Sequence, residues 1–205
     1  MRALGRKAAR LVACLALFAA QGAAFAGAQK YEPLADSVRT VLSKSVSDRA
    51  PVTSAFPSKL DEVNWLSEMS NRLQKRIPDH HERIAFLKSV HYEASRAGLD
   101  PQMVLGLIQV ESGFRKFAVS RAGARGFMQV MPFWIKLIGA KGDNLFNMRT
   151  NIRYGCVILR HYLEIEKGEL YRALGRYNGS LGKPEYPNMV VGAWNKQWQY
   201  AGKTT

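Results

Sequence analysis

The chain predicts an all-α fold, and three features of its sequence carry that expectation. Apolar residues recur at three- and four-residue intervals in one stretch after another. Gly or Pro stands where most of these stretches stop. No long run alternates apolar with polar residues, so at most a minor β-hairpin fits, near residues 117–130.

Residues 1–26 read as a secretory signal peptide. Arg2, Arg6, Lys7 and Arg10 precede an apolar run from Leu11 to Ala20, and Ala24-Phe25-Ala26 offers a small-residue cleavage site. The run is too short to span a bilayer, and most of it lies beyond Cys14, which argues against lipidation at Leu11-Val12-Ala13-Cys14. The expected mature chain begins near Gly27 and is periplasmic or secreted. Removing four basic residues and no acid takes the formal charge from +14 to +10, so an anionic partner suits it. The basic residues are scattered, without the pattern of an RRM or a helix-turn-helix, and an exported chain rarely meets nucleic acid. No nucleic-acid partner is expected. One cysteine, Cys156, would remain, which leaves no intramolecular disulfide and makes packing the source of stability in an expected monomer.

Residues 27–58 mix Ser and Thr with Pro33, Pro51 and Pro57 and show no sustained period; they are expected to be an irregular leader. Residues 59–205 form the expected domain. Trp65, Met69, Leu73 and Ile77 recur every four residues between Leu60 and Ile77, an amphipathic helix that Pro78 and Asp79 end. The next helix runs from about Pro78 towards Ala97, with Phe86, Leu87, Val90, Ala94 and Ala97 on one face and Gly98 as its stop. His80, His81, His91 and the distant His161 make no HExxH motif. Cys156 shares a helical stripe with Ile152, Leu159 and Leu163, as a core thiol would. No metal or other cofactor is expected.

The third helix is the one that bears chemistry. Asp100 can cap it, Pro101 suits its first turn, and Met103, Val104, Leu105, Leu107, Ile108 and Val110 leave it almost no polar face. Such a helix should be buried. Glu111 lies in its last turn, just before Gly113, where the negative end of the helix dipole and the apolar surroundings both favour the protonated acid. A Glu at a helix end is usually a solvated surface charge. The segment C-terminal to Glu111 alters that reading, because Ser112, Ser120, Gly123, Gly126 and Gln129 supply hydroxyls, adaptable backbone and an amide that could line a polar cleft.

Beyond it, Pro132, Phe133 and Trp134 begin a helical piece to Ile138, and GAKGDN makes a loop. Asn151 to Lys167 form a long helix stopped by Gly168. Leu170, Ala173, Leu174 and Tyr177 stripe another, closed by Tyr177-Asn178-Gly179. From Pro187 to about Tyr200, Val190, Ala193, Trp194 and Trp198 sit at helical spacing, and such an aromatic stripe reads as core rather than as a sugar platform.

Four ordered segments, GLDPQMVLGLIQVESGF, AVSRAGARGFMQVMP, NIRYGCVILRHYL and ALGRYNGS, resemble the successive motifs of lytic transglycosylases with a soluble-lytic-transglycosylase, goose-lysozyme-like domain. The resemblance covers about residues 80–198. It implies a peptidoglycan lytic transglycosylase that cuts the MurNAc-GlcNAc β-1,4 bond and leaves 1,6-anhydro-MurNAc ends. By the same matching Glu111 is the catalytic acid and base, and Ser112 borders it. Ser120 holds Glu111 or the substrate's acetamido group, Gln129 and Met131 line the sugar sites, and Tyr177 and Asn178 close the opposite wall. The implied partners are peptidoglycan glycan strands, with a secretion or conjugation machine as a further one that small enzymes of this family can serve. Phe127 stands where the family usually has Leu, and Phe133-Trp134 replaces a smaller, more polar pair; both changes are expected to narrow the cleft.

Most glycosidases need two carboxylates. Between Glu111 and His161 the sequence offers one other, Asp143, in a Gly-Asp-Asn turn where capping is the default role. A hydrolytic lysozyme-like muramidase, a chitin-cleaving enzyme and a non-catalytic basic wall-binding protein remain as alternatives on the sequence alone.

Overall fold

The computed structural model describes residues 29–47, 50 and 55–201 of the chain. The expected signal peptide and Cys14 lie outside them. In chain order the helices are α1 Asp36–Ser47, α2 Lys59–Leu73, α3 His80–Arg96, α4 Pro101–Ser112, α5 Phe133–Ile138, α6 Met148–Ile165, α7 Leu170–Asn178 and α8 Glu185–Ala193; a π-helical turn, Trp194–Trp198, continues α8. The fold is all-α, as expected. The expected hairpin is reduced to two isolated antiparallel bridges, Val119 with Arg125 and Arg125 with Val130.

Local chemistry sets the helix ends. Ser58, Asp79, Asp100 and Asn147 each accept backbone N–H groups from the first turns of α2, α3, α4 and α6, which satisfies donors that a helix N-terminus otherwise leaves open. Gly113 ends α4 in the left-handed region at φ 59°, a conformation glycine adopts without strain. On α4, Met103, Val104, Leu105, Leu107 and Ile108 are buried, each worth roughly 1.5–3 kcal/mol of transfer free energy. The helix packs between α3 on one side and α8 with the π-helical turn on the other. Gly106 permits the second contact: a Cβ there would lie 2.9 Å from the backbone nitrogen of Trp194.

α6 starts at Met148, three residues before the expected Asn151, because Asn147 caps it, and two other boundaries also differ from expectation. α2 stops at Leu73, yet Ile77 is still buried, because Arg83 donates to the carbonyls of Ile77 and Pro78 and pins the turn after the helix. α8 starts at Glu185, which leaves Pro187 inside its first turn, where a missing N–H costs nothing.

The leader is the main correction. Residues 27–58 are not irregular throughout, since α1 spans Asp36–Ser47 and buries Leu42 and Val46 at helical spacing. Its Ser- and Thr-rich sequence hides a narrow apolar stripe, and the tertiary partners complete it. Arg96 and Arg153 donate to the carbonyls of Ser45 and Val46 and Arg149 donates to that of Ala50; all three also pair with the buried carboxylate of Glu93. Cys156 is a buried free thiol, and burial first, then the Glu93 charge, pushes its pKa far up, as a core thiol requires. Among the described residues no helix is long and apolar enough to cross a membrane.

Candidate active site

Glu111 is buried at 1% exposure in the last turn of α4, yet it lines a cleft of about 740 Å³. Ser112, Arg76, Arg115, Asn188 and Lys196 share that lining, so the cleft opens on three cationic side chains. The other buried carboxylates among the described residues, Glu62, Glu93 and Glu166, are each bound by Lys or Arg. On Glu111 the hydroxyl of Tyr186 on α8 donates to Oε1 at 2.5 Å. Burial pushes the pKa of Tyr186 well above the usual phenol range, and the Glu111 charge adds to it, so this hydroxyl keeps its proton. A carboxyl buried at a cleft with a proton-bearing phenol on its oxygen has the parts that proton exchange with a bound ligand needs.

The polar segment after α4 is clamped by side chains of α6 and α7. Asn151, fully buried on α6, accepts the N–H of Met128 at 2.8 Å and donates to the carbonyls of Arg125 and Leu145 at 2.8 and 2.9 Å. Gly126 leaves the room for it, since a Cβ there would collide with the Asn151 amide. Tyr177 on α7 donates to the carbonyl of Met128 at 2.7 Å. Its pKa is raised well above the phenol range by burial first and then by the charge of Glu111, which places it within electrostatic reach of that carboxylate.

The residues singled out in the sequence fall into two groups. Ser112 is buried beside Glu111, and its hydroxyl donates to the Ile108 carbonyl of its own helix. Ser120 accepts the N–H of Ala124 and shapes that turn. Gln129, buried and at φ 48°, spends its amide nitrogen on the carbonyls of Ala118 and Gly126. Met131 is half-buried and its N–H donates to Oε1 of Gln29. Asn178 is buried at the end of α7. Of these residues Glu111 and Ser112 line the cleft, whereas the bonds of Ser120, Gln129, Met131 and Tyr177 hold the loop after α4 together.

Asp143 accepts the N–H of Ala140 and the hydroxyl of Tyr154, the latter at 2.6 Å. It holds its own loop. Phe127 and Trp134 do not narrow the cleft as expected, because both are buried, Phe127 against Phe86 with ring centroids 4.8 Å apart. Phe133 is half-buried under the ring of Tyr31. The aromatic stripe of the last helix is core, as expected, with Trp198 buried and its indole N–H donating to Gln109. Tyr186 is the partner of Glu111 that sequence reasoning misses. A signal exists: Tyr186, Val190 and Ala193 fall at i, i+4 and i+7, but a helix read from Pro187 onward leaves Tyr186 just outside it.

An all-α domain with a buried acid in the last turn of its central helix, facing a cleft, has the architecture of the goose-lysozyme-like class. The profile of the family described as Transglycosylase SLT domain matches residues 88–190, half of the chain, and the chain belongs to that family. It is also 32% identical over 124 residues to the membrane-bound lytic murein transglycosylase C of Yersinia pestis (strain Pestoides F), across 52% of this chain and 35% of that protein. The protein of the same name from Yersinia pseudotuberculosis serotype O:1b (strain IP 31758) gives the same identity and coverage. The chain therefore spans about a third of the length of these relatives.

Proposed function

We propose that the protein is a peptidoglycan lytic transglycosylase in which Glu111 is the one catalytic carboxylate, cutting the MurNAc-GlcNAc β-1,4 bond. The observation that carries this is a contrast between two carboxylates: Glu111 is buried on the cleft with a phenol on its oxygen, while Asp143 is tied to Ala140 and Tyr154 in its loop. Protonated Glu111 gives its proton to the glycosidic oxygen as the C1–O bond breaks. The substrate's 2-acetamido group stabilises the positive charge that develops at C1; Ser112 borders the reacting carboxyl, Met131 lines the sugar sites, and Ser120, Gln129, Tyr177 and Asn178 shape those sites. The carboxylate then takes the proton of the 6-hydroxyl, whose oxygen attacks C1 and closes the 1,6-anhydro ring. No water is consumed, and Glu111 ends protonated as it began.

Arg76, Arg115 and Lys196 suit a glycan that carries acidic peptide stems. The protein acts after export, in the periplasm or outside the cell, as a monomer, and clearing wall for a secretion or conjugation machine is a fitting use. The test is a pair of variants assayed on purified sacculi. Glu111→Gln keeps shape but cannot donate the proton, and turnover should fall by about 10²–10⁴-fold or more with the fold intact. Asp143→Asn should lower stability slightly and leave most of the activity. A dead Asp143 variant would replace this reading with that of a two-carboxylate hydrolase.

A further inference from the structure

One side chain from the leader is driven into the loop that Tyr177 holds. Gln29 is buried at 3% exposure, although Lys30, Tyr31 and Glu32 after it are all exposed. Its carboxamide makes two opposed hydrogen bonds to backbone about 100 residues away: Nε2 donates to the carbonyl of Gln129 at 3.2 Å, and Oε1 accepts the N–H of Met131 at 3.1 Å. The same amide interacts with the hydroxyl of Tyr177, the residue that feels the charge of Glu111. Outside this anchor the hold is light. The ring of Tyr31 stands edge-on to Phe133 at 5.7 Å while 62% exposed, and Glu32 pairs with Arg176 at 2.8 Å at the surface.

A carbonyl and an N–H two residues apart on one backbone edge recognise any group that carries an N–H and a C=O on the same carbon. A glutamine side chain is one such group, and a 2-acetamido substituent on a sugar is another. We propose that residues 29–32 are an intramolecular strap in which the Gln29 carboxamide stands in for a substrate acetamido group, so that an N-acetylated glycan must displace it. This rests on the proposed glycan substrate. The exchange is chemically even, since the incoming acetamido group restores both hydrogen bonds and leaves neither the Gln129 carbonyl nor the Met131 N–H buried without a partner. The single buried anchor and exposed neighbours make the strap a segment that opens locally without disturbing the helices.

The strap scales the apparent affinity by the fraction of molecules in which it is open. The full-length exported protein and its Gln29→Ala variant should be titrated calorimetrically with tri-N-acetylchitotriose and with the fully de-N-acetylated trisaccharide. Gln29→Ala should bind the acetylated sugar about tenfold more tightly, the scale of two displaced hydrogen bonds, and the de-acetylated one unchanged. On sacculi its KM should fall by a similar factor with kcat held. Equal binding of the acetylated sugar by both proteins would show that Gln29 does not compete, and weaker binding by the variant would make Gln29 part of the sugar site; either overturns the strap. Should Gln29→Ala fail to fold, Tyr31→Ala loosens only the outer contact and should tighten binding about two- to threefold, with no tightening as the refuting result. If neither protein releases muropeptides while the acetyl-specific tightening is seen, the strap stands and the transglycosylase reading falls. If both cleave alike and bind alike, the reverse holds.

Discussion

Replacing Tyr186 with Phe removes one oxygen from the site and leaves the buried ring in place. The Tyr186 hydroxyl donates to Oε1 of Glu111 at 2.5 Å, and in the proposed reaction, as Glu111 hands its proton to the leaving oxygen, negative charge grows on the carboxyl that this donor touches. The bond is therefore stronger in the transition state than in the ground state, which is the condition for raising kcat rather than lowering KM. A hydrogen bond to a charged group contributes about 1.5–3 kcal/mol, and at about 1.4 kcal/mol per factor of ten Tyr186→Phe should cost roughly 10–100-fold in kcat. KM on soluble glycan strands should change by less than about threefold, because Tyr186 is almost wholly buried and meets the carboxylate rather than the sugars. The assay is release of muropeptides from defined glycan strands under initial-rate conditions, with thermal unfolding as the control for fold. If a folded Tyr186→Phe protein kept kcat within about twofold of the parent, or changed only in KM, the hydroxyl would not stabilise the working form of Glu111 and the reasoning would fail.

Two further outcomes concern stability. Asn151→Ala leaves the N–H of Met128 and the carbonyls of Arg125 and Leu145 without their partner, so it should destabilise the protein by about 3–5 kcal/mol and lower activity by loosening the loop after α4, as read by denaturant unfolding and turnover at low temperature. His91 is stacked on Phe56 at 3.5 Å and edge-on to Trp65 at 5.1 Å, and its Nδ1 is buried without a partner. Burial lowers its pKa to about 4 from an ordinary 6.5, against the opposing pull of Glu62. Between those pH values the unfolded chain binds a proton that the folded one does not, so stability is complete above about 6.5 and is lost as pH falls towards 4. After discounting for solvent screening at this half-buried ring, the loss should be roughly 1–2 kcal/mol. His91→Phe should flatten that slope in a series of unfolding curves, and an unchanged slope would assign it to other groups.

What the sequence disclosed was local, and what it withheld was long-range. Asp100, Pro101, the apolar run and Gly113 define α4 by capping, burial and the left-handed stop, all physics of neighbours in the chain, and the structure places the helix within a residue of where they put it. Glu111 could be found for the same reason. Its partner could not, because Tyr186 lies 75 residues onward and reaches it only through the packing of α8 on α4 that Gly106 allows. Asn151 reads as the start of a helix, and nothing in its neighbours reveals that its side chain clamps a loop from elsewhere in the domain. The leader misleads in the opposite sense: the periodicity of α1 is weak because much of its support comes from arginines on α3 and α6. Gln29 carries no local signal at all, since one glutamine in a polar stretch looks ordinary until the fold supplies the backbone pair it binds.

The central claim is that Glu111 serves a reaction without water, and the chemical form of the product tests it most directly. A 6-hydroxyl held against C1 can compete at an effective concentration that reaches about 10⁵ M or more, far above that of bulk water. Purified sacculi digested with the purified protein should therefore release muropeptides ending in 1,6-anhydro-N-acetylmuramic acid, lighter by one water than lysozyme products in mass spectrometry. Glycan ends that are predominantly reducing from the first minutes of the digest would contradict the account and make Glu111 the acid of a hydrolase.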